Sequence, residues 1–441
     1  MKGRIIRKLR IEKLAQGGDG LSHLPDGRVV FVRGGVPGDL VDVELEKDKK
    51  TWARGQVVEV HEPSQARTDR VGCDAFERGC GGCQFWGVGY EDELGWKVEA
   101  AREAMARISK LDLPEPEVIA APSIRDYRSR VTFHQRRDGE DIKCGFYAAG
   151  SREVVAVDGC PVARPEIDEA MAEIGGALAM LGRADITVET CGDGQAVILV
   201  ELGRKERIRH DQLEELSRIV EQGMVVSGVE VVDYRGKYFI IGDTTVDAAE
   251  VLAQSPVESM RVKPGRFRQA NQAINKLLVE QVVTEIAAAN DRPRVVELFC
   301  GAGNFSFALA PHVEGLVGYE ASEGAIEAAH QMAELAEHGG RLNFHIADLF
   351  DEEIVAGIGE LSFDVLLLDP PREGAAQVAR QMADEQASPE LNQIVYVSCD
   401  PACLARDLKT LVGGGWSVDS LRFFDMFPRT SHLEALVCLR R

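Results

Sequence analysis

VVELFCGAGNFSFALA, residues 295–310, carries an apolar run into a glycine-bearing turn and then into a helical pattern. A strand ending in such a turn lets the backbone approach a ligand closely at the first switch point of a parallel sheet. Gly301 and Gly303 supply the tight turn, but Ser306 stands where a third glycine would complete G-x-G-x-x-G, so the dinucleotide pattern is not met. Outward from this stretch, the apolar runs RVVELF (294–299), GLVGYE (315–320), FDVLLLD (363–369) and QIVYVS (393–398) alternate with helical segments. That alternation is the signature of a doubly wound sheet with helices on both faces, and it occupies residues 261–441.

The ends of these strands carry the chemistry. Glu320 closes the second run about 20 residues beyond the first, where a carboxylate can accept both ribose hydroxyls of an adenosine. Asp348, in HIADLF, follows a third strand and is placed to accept from an adenine amino group. In series these positions favour S-adenosylmethionine. The fourth run ends LLLDPPREGA, leaving Asp369 as a carboxylate at the mouth of the site. Enzymes that methylate exocyclic amines carry an aromatic ring after the two prolines; Arg372 stands there, which disfavours amine methylation.

VYVSCDPACLARDL (395–408) puts Cys399 at the end of the fifth strand, facing the same crevice. A thiolate there can add to C6 of a pyrimidine and turn C5 into a carbanion equivalent that accepts a methyl group. A base must then remove the C5 proton. DMFPRTSHLEALV (425–437) offers Glu434 and His432, and burial would raise the basicity of the carboxylate. Cys144, Cys191, Cys300, Cys403 and Cys438 sit in apolar or helical settings and are read as structural.

Three more cysteines lie in CDAFERGCGGCQFW (73–86): Cys73, Cys80 and Cys83, with Gly81 and Gly82 letting the backbone fold round a guest. Cys160, in VDGCPV, is the fourth candidate ligand. Four thiolates suit a structural zinc or a [4Fe–4S] cluster, and the Cys-Pro pair tilts the reading to the cluster.

Residues 1–60 hold short alternating apolar runs between Gly, Asp and Pro turns, the pattern of a small OB-like β-barrel. Residues 61–260 form an α+β central region with the cysteine loop and a helix near 92–109, which makes the whole a multidomain α/β chain. At 441 residues there is length for three cores. No apolar run is long enough to span a membrane, the basic start lacks a signal-peptide core, and ten cysteines without a secretory context do not read as a disulfide framework. A cytoplasmic, monomeric protein is expected. The net charge of −21 argues against indiscriminate nucleic-acid binding. Local patches run the other way: residues 1–10 hold five basic side chains, IRDYRSRVTFHQRR (124–137) five and RVKPGRFR (261–268) four. Basic patches on an acidic body fit a selective RNA surface.

FRQAN, LFCGAGNF, DPPREGA, VYVSCDPACLARDL and DMFPRTSHLE, with the cysteine loop, resemble the bacterial RNA uracil-5 methyltransferases over essentially the whole chain, and the first 60 residues resemble a TRAM RNA-binding domain. The resemblance implies cofactor contact by Gln269, Phe299, Asn304, Glu320, Asp348 and Asp369. It also implies Cys399 as nucleophile, Glu434 as general base, and Cys73, Cys80, Cys83 and Cys160 as [4Fe–4S] ligands. The expected product is 5-methyluridine in structured RNA, 23S ribosomal RNA first and transfer RNA as the alternative, with neither DNA nor membrane as partner. Arg125, Arg128 and Arg130 are expected to hold RNA outside the site, because the target base must leave its stack to reach Cys399. A non-catalytic RNA-binding protein is disfavoured, since Cys399, Glu434 and the Gly301–Asn304 loop are all present.

Overall fold

The structure, a computed structural model, describes residues 4–68, 72–139, 141–247, 252, 261–262, 268–288, 291–384 and 387–441. The basic stretch at 261–268 and Phe267 of FRQAN therefore fall largely outside the described residues, as do residues 1–3 of the basic start.

Six strands (Ile5–Arg10, Lys13–Leu14, Gly20–His23, Val29–Arg33, Leu40–Asp48 and Trp52–Glu62) form the amino-terminal sheet in the spatial order first, fifth, sixth, fourth, third, second. Its two end strands are consecutive in the chain, so the sheet curls back on itself, and Ser22 Oγ donates to Arg10 O at 2.6 Å across the seam. Alternation sends Val30, Val32, Val41 and Val43 inward, all fully buried. Gly55 is required where strands press together, because a Cβ there would lie 2.4 Å from Glu44 O. The barrel is seated on the rest of the chain by Leu14 and Val36, which pack with Phe85, Val88 and Ala100.

The central body is a seven-stranded sheet in the order 154–156, 141–147, 130–138, 184–192, 195–202, 226–232, 238–242. Helices Pro165–Ala179 and His210–Gln222 pack against it through a core that includes Ile167, Ile174, Leu178, Ile186, Ile198 and Leu216.

The carboxy-terminal sheet has eight strands, in the order 342–346, 315–320, 294–298, 365–368, 393–398, 434–440, 417–424, 117–119. The first five are parallel, and Arg294–Leu298 has a neighbour on each side, which makes its carboxyl end the switch point. Glu434–Arg440 runs antiparallel to Gln393–Ser398. One apolar layer, with Leu278, Val282, Ile326 and Met332, covers one side, and another, with Val355, Met382, Leu404 and Leu408, covers the other.

The helix expected in the central region belongs here instead. Tyr90–Ser109 buries Ala101 and Met105 in the same core as Leu404 and Leu408, and the strand Glu117–Ile119 extends the catalytic sheet by pairing Val118 with Phe423. The chain then leaves to build the central body and returns at Asn271, which bridges Arg128. Among the described residues no helix is long and apolar enough to cross a membrane.

Candidate active site

A cavity of about 800 Å³ opens at the carboxyl ends of the parallel strands, lined by residues that include Gln269, Phe299, Glu320, Asp348, Asp369, Cys399 and Glu434. The glycine-bearing turn forms one wall. Phe299 takes φ +64 at its start, a left-handed conformation that costs a side-chain-bearing residue roughly 1–2 kcal/mol and is tolerated where the fold holds it. Glu320 accepts from Gly301 N at 3.3 Å and Ser322 N at 2.8 Å, so its carboxylate is already aimed along the turn. The following helices are capped by Ser322 and Asp351, which frees Glu320 and Asp348 from that duty. Leu349 and Phe350 also line the cavity, and the Phe350 ring centroid lies 5.9 Å from that of Phe299, an apolar pair that sequence reasoning passed over. Asn304 is not among the lining residues: its amide exchanges two 2.9 Å hydrogen bonds with Asn275 of the helix Gln272–Ala287.

The opposite wall is set by strand register. Ser398 pairs with Ala435 across the antiparallel strands, so the next residue of one strand, Cys399, and the preceding residue of the other, Glu434, emerge together at the cavity. Asp400 caps the helix Pro401–Gly413, accepting from Ala402 N at 2.9 Å and Cys403 N at 2.8 Å, which fixes the elbow that carries Cys399. Burial, then the nearby carboxylates of Glu434 and Asp369, push the Cys399 thiol up to about 12, while Arg372 opposes them. Burial, then the carboxylate of Glu320, likewise raises Asp369 to about 7, and burial, then the carboxylate of Asp369, raises Glu434 well above the usual carboxylate range. Burial, then the positive charges of Arg372, Lys97 and Arg128, push His432 below the usual histidine range.

The loop that delivers Glu434 is anchored by a buried ionic network with no counterpart in the sequence reading. Lys97 Nζ donates to Asp425 at 2.6 Å and reaches Glu93 at 3.4 Å, with all three side chains at most 1% exposed. Arg429 donates to Glu93 from its backbone at 2.6 Å and its guanidinium at 2.9 Å, and Tyr90 OH donates to Asp425 at 2.8 Å. Lys97 and Glu93 are four apart on one helix, which in sequence reads as an ordinary solvated pair.

The four cysteines of the loop and of VDGCPV come together. Cys73, Cys80, Cys83 and Cys160 line one small cavity with Phe76, Trp86 and Arg128. Arg128 also lines the large cavity, and so stands between the two. The expected RNA arginines are engaged within the protein: Arg130 pairs with Glu189 at 3.0 Å, Arg125 donates to Gly72 O at 3.0 Å, and Arg128 lies over the Phe427 ring at 5.4 Å. Arg268 is buried and donates to Ser129 O at 2.6 Å.

The family model described as tRNA (Uracil-5-)-methyltransferase matches residues 89–441, and the TRAM domain model matches residues 1–58. The 23S rRNA (uracil(1939)-C(5))-methyltransferase RlmD of Chromohalobacter salexigens is 31% identical over 98% of this chain and 89% of the relative. An uncharacterised RNA methyltransferase of Thermosynechococcus vestitus is 32% identical over 98% of this chain and 97% of its own length. The crystal structure of Pyrococcus abyssi tRNA (uracil-54, C5)-methyltransferase, bound to S-adenosyl-L-homocysteine, superposes with a TM-score of 0.72 at 21% identity, covering 98% of this chain and 99% of that one, which fixes the likeness of fold. The chain belongs to the RNA uracil-5 methyltransferase family and carries a TRAM domain at its amino terminus.

Proposed function

We propose that this protein methylates C5 of a uridine in 23S ribosomal RNA through a covalent bond between Cys399 and C6. The observation that carries the reading is the register Ser398↔Ala435, which brings a thiol and a buried carboxylate to one wall of a cavity whose other wall suits an adenosine. Gln269, Phe299, Glu320, Asp348 and Asp369 would hold S-adenosylmethionine, which supplies the methyl group to C5. Cys399 passes its proton to water and adds to C6 as the thiolate, and charge accumulates at C5. After methylation, the ionised carboxylate of Glu434 takes the C5 proton, the C5–C6 double bond re-forms and the Cys399 sulfur departs. Full-length similarity to RlmD proteins favours ribosomal RNA, and with it a cytoplasmic location; the description of the matching family favours transfer RNA as the alternative.

Cys73, Cys80, Cys83 and Cys160 would hold a [4Fe–4S] cluster. Four thiolates on one zinc ion stand about 3.8 Å apart, from a Zn–S bond of about 2.3 Å and tetrahedral geometry. Among the described residues the one trio of His, Cys, Asp or Glu ligand atoms within 4.8 Å is Asp42, Glu59 and His61, so no three of the four sulfurs are held as tightly as zinc requires.

The test is a denaturing gel of protein incubated with cofactor and unmodified ribosomal or transfer RNA transcripts. Glu434→Gln should accumulate a methylated protein–RNA adduct, and Cys399→Ala should form none. Wild type should be trapped by RNA containing 5-fluorouridine, because fluorine cannot leave as a cation. Adduct formation by Cys399→Ala would move the nucleophile elsewhere, with Cys403 the first suspect.

A further inference from the structure

The central sheet ends, on the side away from Cys399, in a feature the catalytic reading does not use. Arg207 Nη2 and Arg235 Nε both donate to the phenol oxygen of Tyr234, at 3.5 and 2.9 Å. Two exposed guanidinium groups thus converge on one neutral oxygen. Like charges so close repel, and the arrangement gains energy when an anion enters between them. A neighbouring carboxylate, Asp233, accepts from the backbone of Arg235 and Lys237 at 2.8 and 3.0 Å, and its charge offsets part of the positive charge of Arg207, Arg235 and Lys237.

Around this pair the surface alternates cations with rings. Lys237 Nζ lies 4.6 Å over the Phe239 ring. On the edge strand Tyr238–Gly242, Tyr238 and Ile240 are 62% and 63% exposed while Phe239 and Ile241 turn to the core, so one aromatic ring and one aliphatic side chain are left on the outer face. Arg204 and Lys205 extend the patch along the preceding loop, both exposed. Arg204, Lys205, Arg207, Arg235 and Lys237 outnumber Glu206 and Asp233 here, five cations to two carboxylates, on a chain of net charge −21.

We propose that Arg207, Tyr234, Arg235, Lys237 and Tyr238 form a second RNA-docking surface, in which the two guanidinium groups clamp a backbone phosphate and Tyr238 offers its face to an unpaired base. Guanidinium forks match phosphate geometry, and stacking on a tyrosine is tolerant of base identity. The surface lies well away from the chemistry. From Arg130, which lines the catalytic cavity, to Tyr238 there are four interstrand steps sideways and four residues along the strand. At about 4.8 Å per step and about 3.3 Å per residue this is about 23 Å, so only an RNA extending well beyond the target loop reaches both.

The proposal rests on the RNA substrate assigned above, and the experiment separates the two. Wild type, Arg207→Gln/Arg235→Gln and Tyr238→Ala are titrated with an unmodified 23S transcript and with a minimal uridine-loop hairpin, and each is assayed for 5-fluorouridine trapping. For the long RNA the double variant should bind about tenfold more weakly, with a salt slope shallower by roughly 0.7–0.9, as expected when one phosphate is no longer neutralised. KM should rise with kcat unchanged, and the hairpin should bind every variant equally. Equal binding of the long RNA by wild type and variants, with trapping intact, overturns the docking surface alone. Loss on both RNAs assigns the residues to general charge rather than to a distant contact and also overturns it. Absence of trapping in wild type, with the long-RNA loss still present, overturns the uracil chemistry and leaves the surface standing.

Discussion

Replacing Lys97 by methionine tests how the catalytic loop is held. The ammonium is 1% exposed and bonds Asp425 at 2.6 Å, with Glu93 at 3.4 Å, both carboxylates fully buried. Removing it leaves Glu93 with Arg429 and leaves Asp425 with the uncharged Tyr90 hydroxyl, and an uncompensated buried charge costs about 3–5 kcal/mol. Glu93 already sits at about 7 because of burial, and Lys97 is the largest influence holding it down. Its loss raises Glu93 further. A carboxyl whose folded pKa exceeds its unfolded value loses stability as pH rises between the two, so the variant should be hurt more at pH 8 than at pH 6. Calorimetry should show the catalytic transition about 6–20 °C lower, from 2–4 °C per kcal/mol for a body of this size. Adding Asp425→Asn should cost less than the sum of the single effects. A shift under about 3 °C, or one independent of pH, would refute the network as the anchor of the loop.

Glu320→Ala should weaken S-adenosylmethionine binding by about 1–3 kcal/mol in titration calorimetry, the value of a charge-assisted hydrogen bond, and unchanged affinity would displace the adenosine from this wall. Purified protein should be brown and contain about four irons and matching sulfide per chain, whereas a single tight zinc without iron would end the cluster reading. Glu297 is wholly buried, hydrogen-bonded by Ser306 Oγ and raised to about 8 by burial. Its burial carries no penalty below about 4.5 and an increasing one up to about 8, so Glu297→Gln should flatten the fall of thermal stability across that interval, by up to about 1.4 kcal/mol per pH unit; an unaltered slope would show that Glu297 is ionised in the folded protein.

The catalytic strands were legible because a parallel sheet buried on both faces writes itself as continuous apolar runs, and because Gly301 and Gly303 mark the turn that such a sheet needs. Cys399 and Glu434 could be placed at strand ends for the same reason. Other features depend on what the chain meets in three dimensions. Glu117–Ile119 is a three-residue strand, too short to show alternation, and only its pairing with Ser417–Phe424 reveals it. Lys97 and Glu93 look like surface charges until the loop of Asp425 and Arg429 closes over them. Arg125 and Arg130 read as free cations because sequence does not display the carbonyl of Gly72 or the carboxylate of Glu189 that engage them. The Arg207 and Arg235 pair escaped because its two halves are 28 residues apart and each is unremarkable alone.

The bridge between Arg128 and Asn271, with Ser129 N donating to Ala270 O at 2.9 Å, means that the chain enters and leaves the central body through a single hydrogen-bonded neck. The central sheet is thus an insertion within the catalytic fold, a cassette whose two ends meet. Such a cassette can be lengthened, trimmed or exchanged without rerouting the strands that carry Cys399 and Glu434. The order of synthesis adds a constraint: the helix Tyr90–Ser109 is made early and waits for Pro401–Gly413, so the catalytic core closes only after residue 413 has left the ribosome.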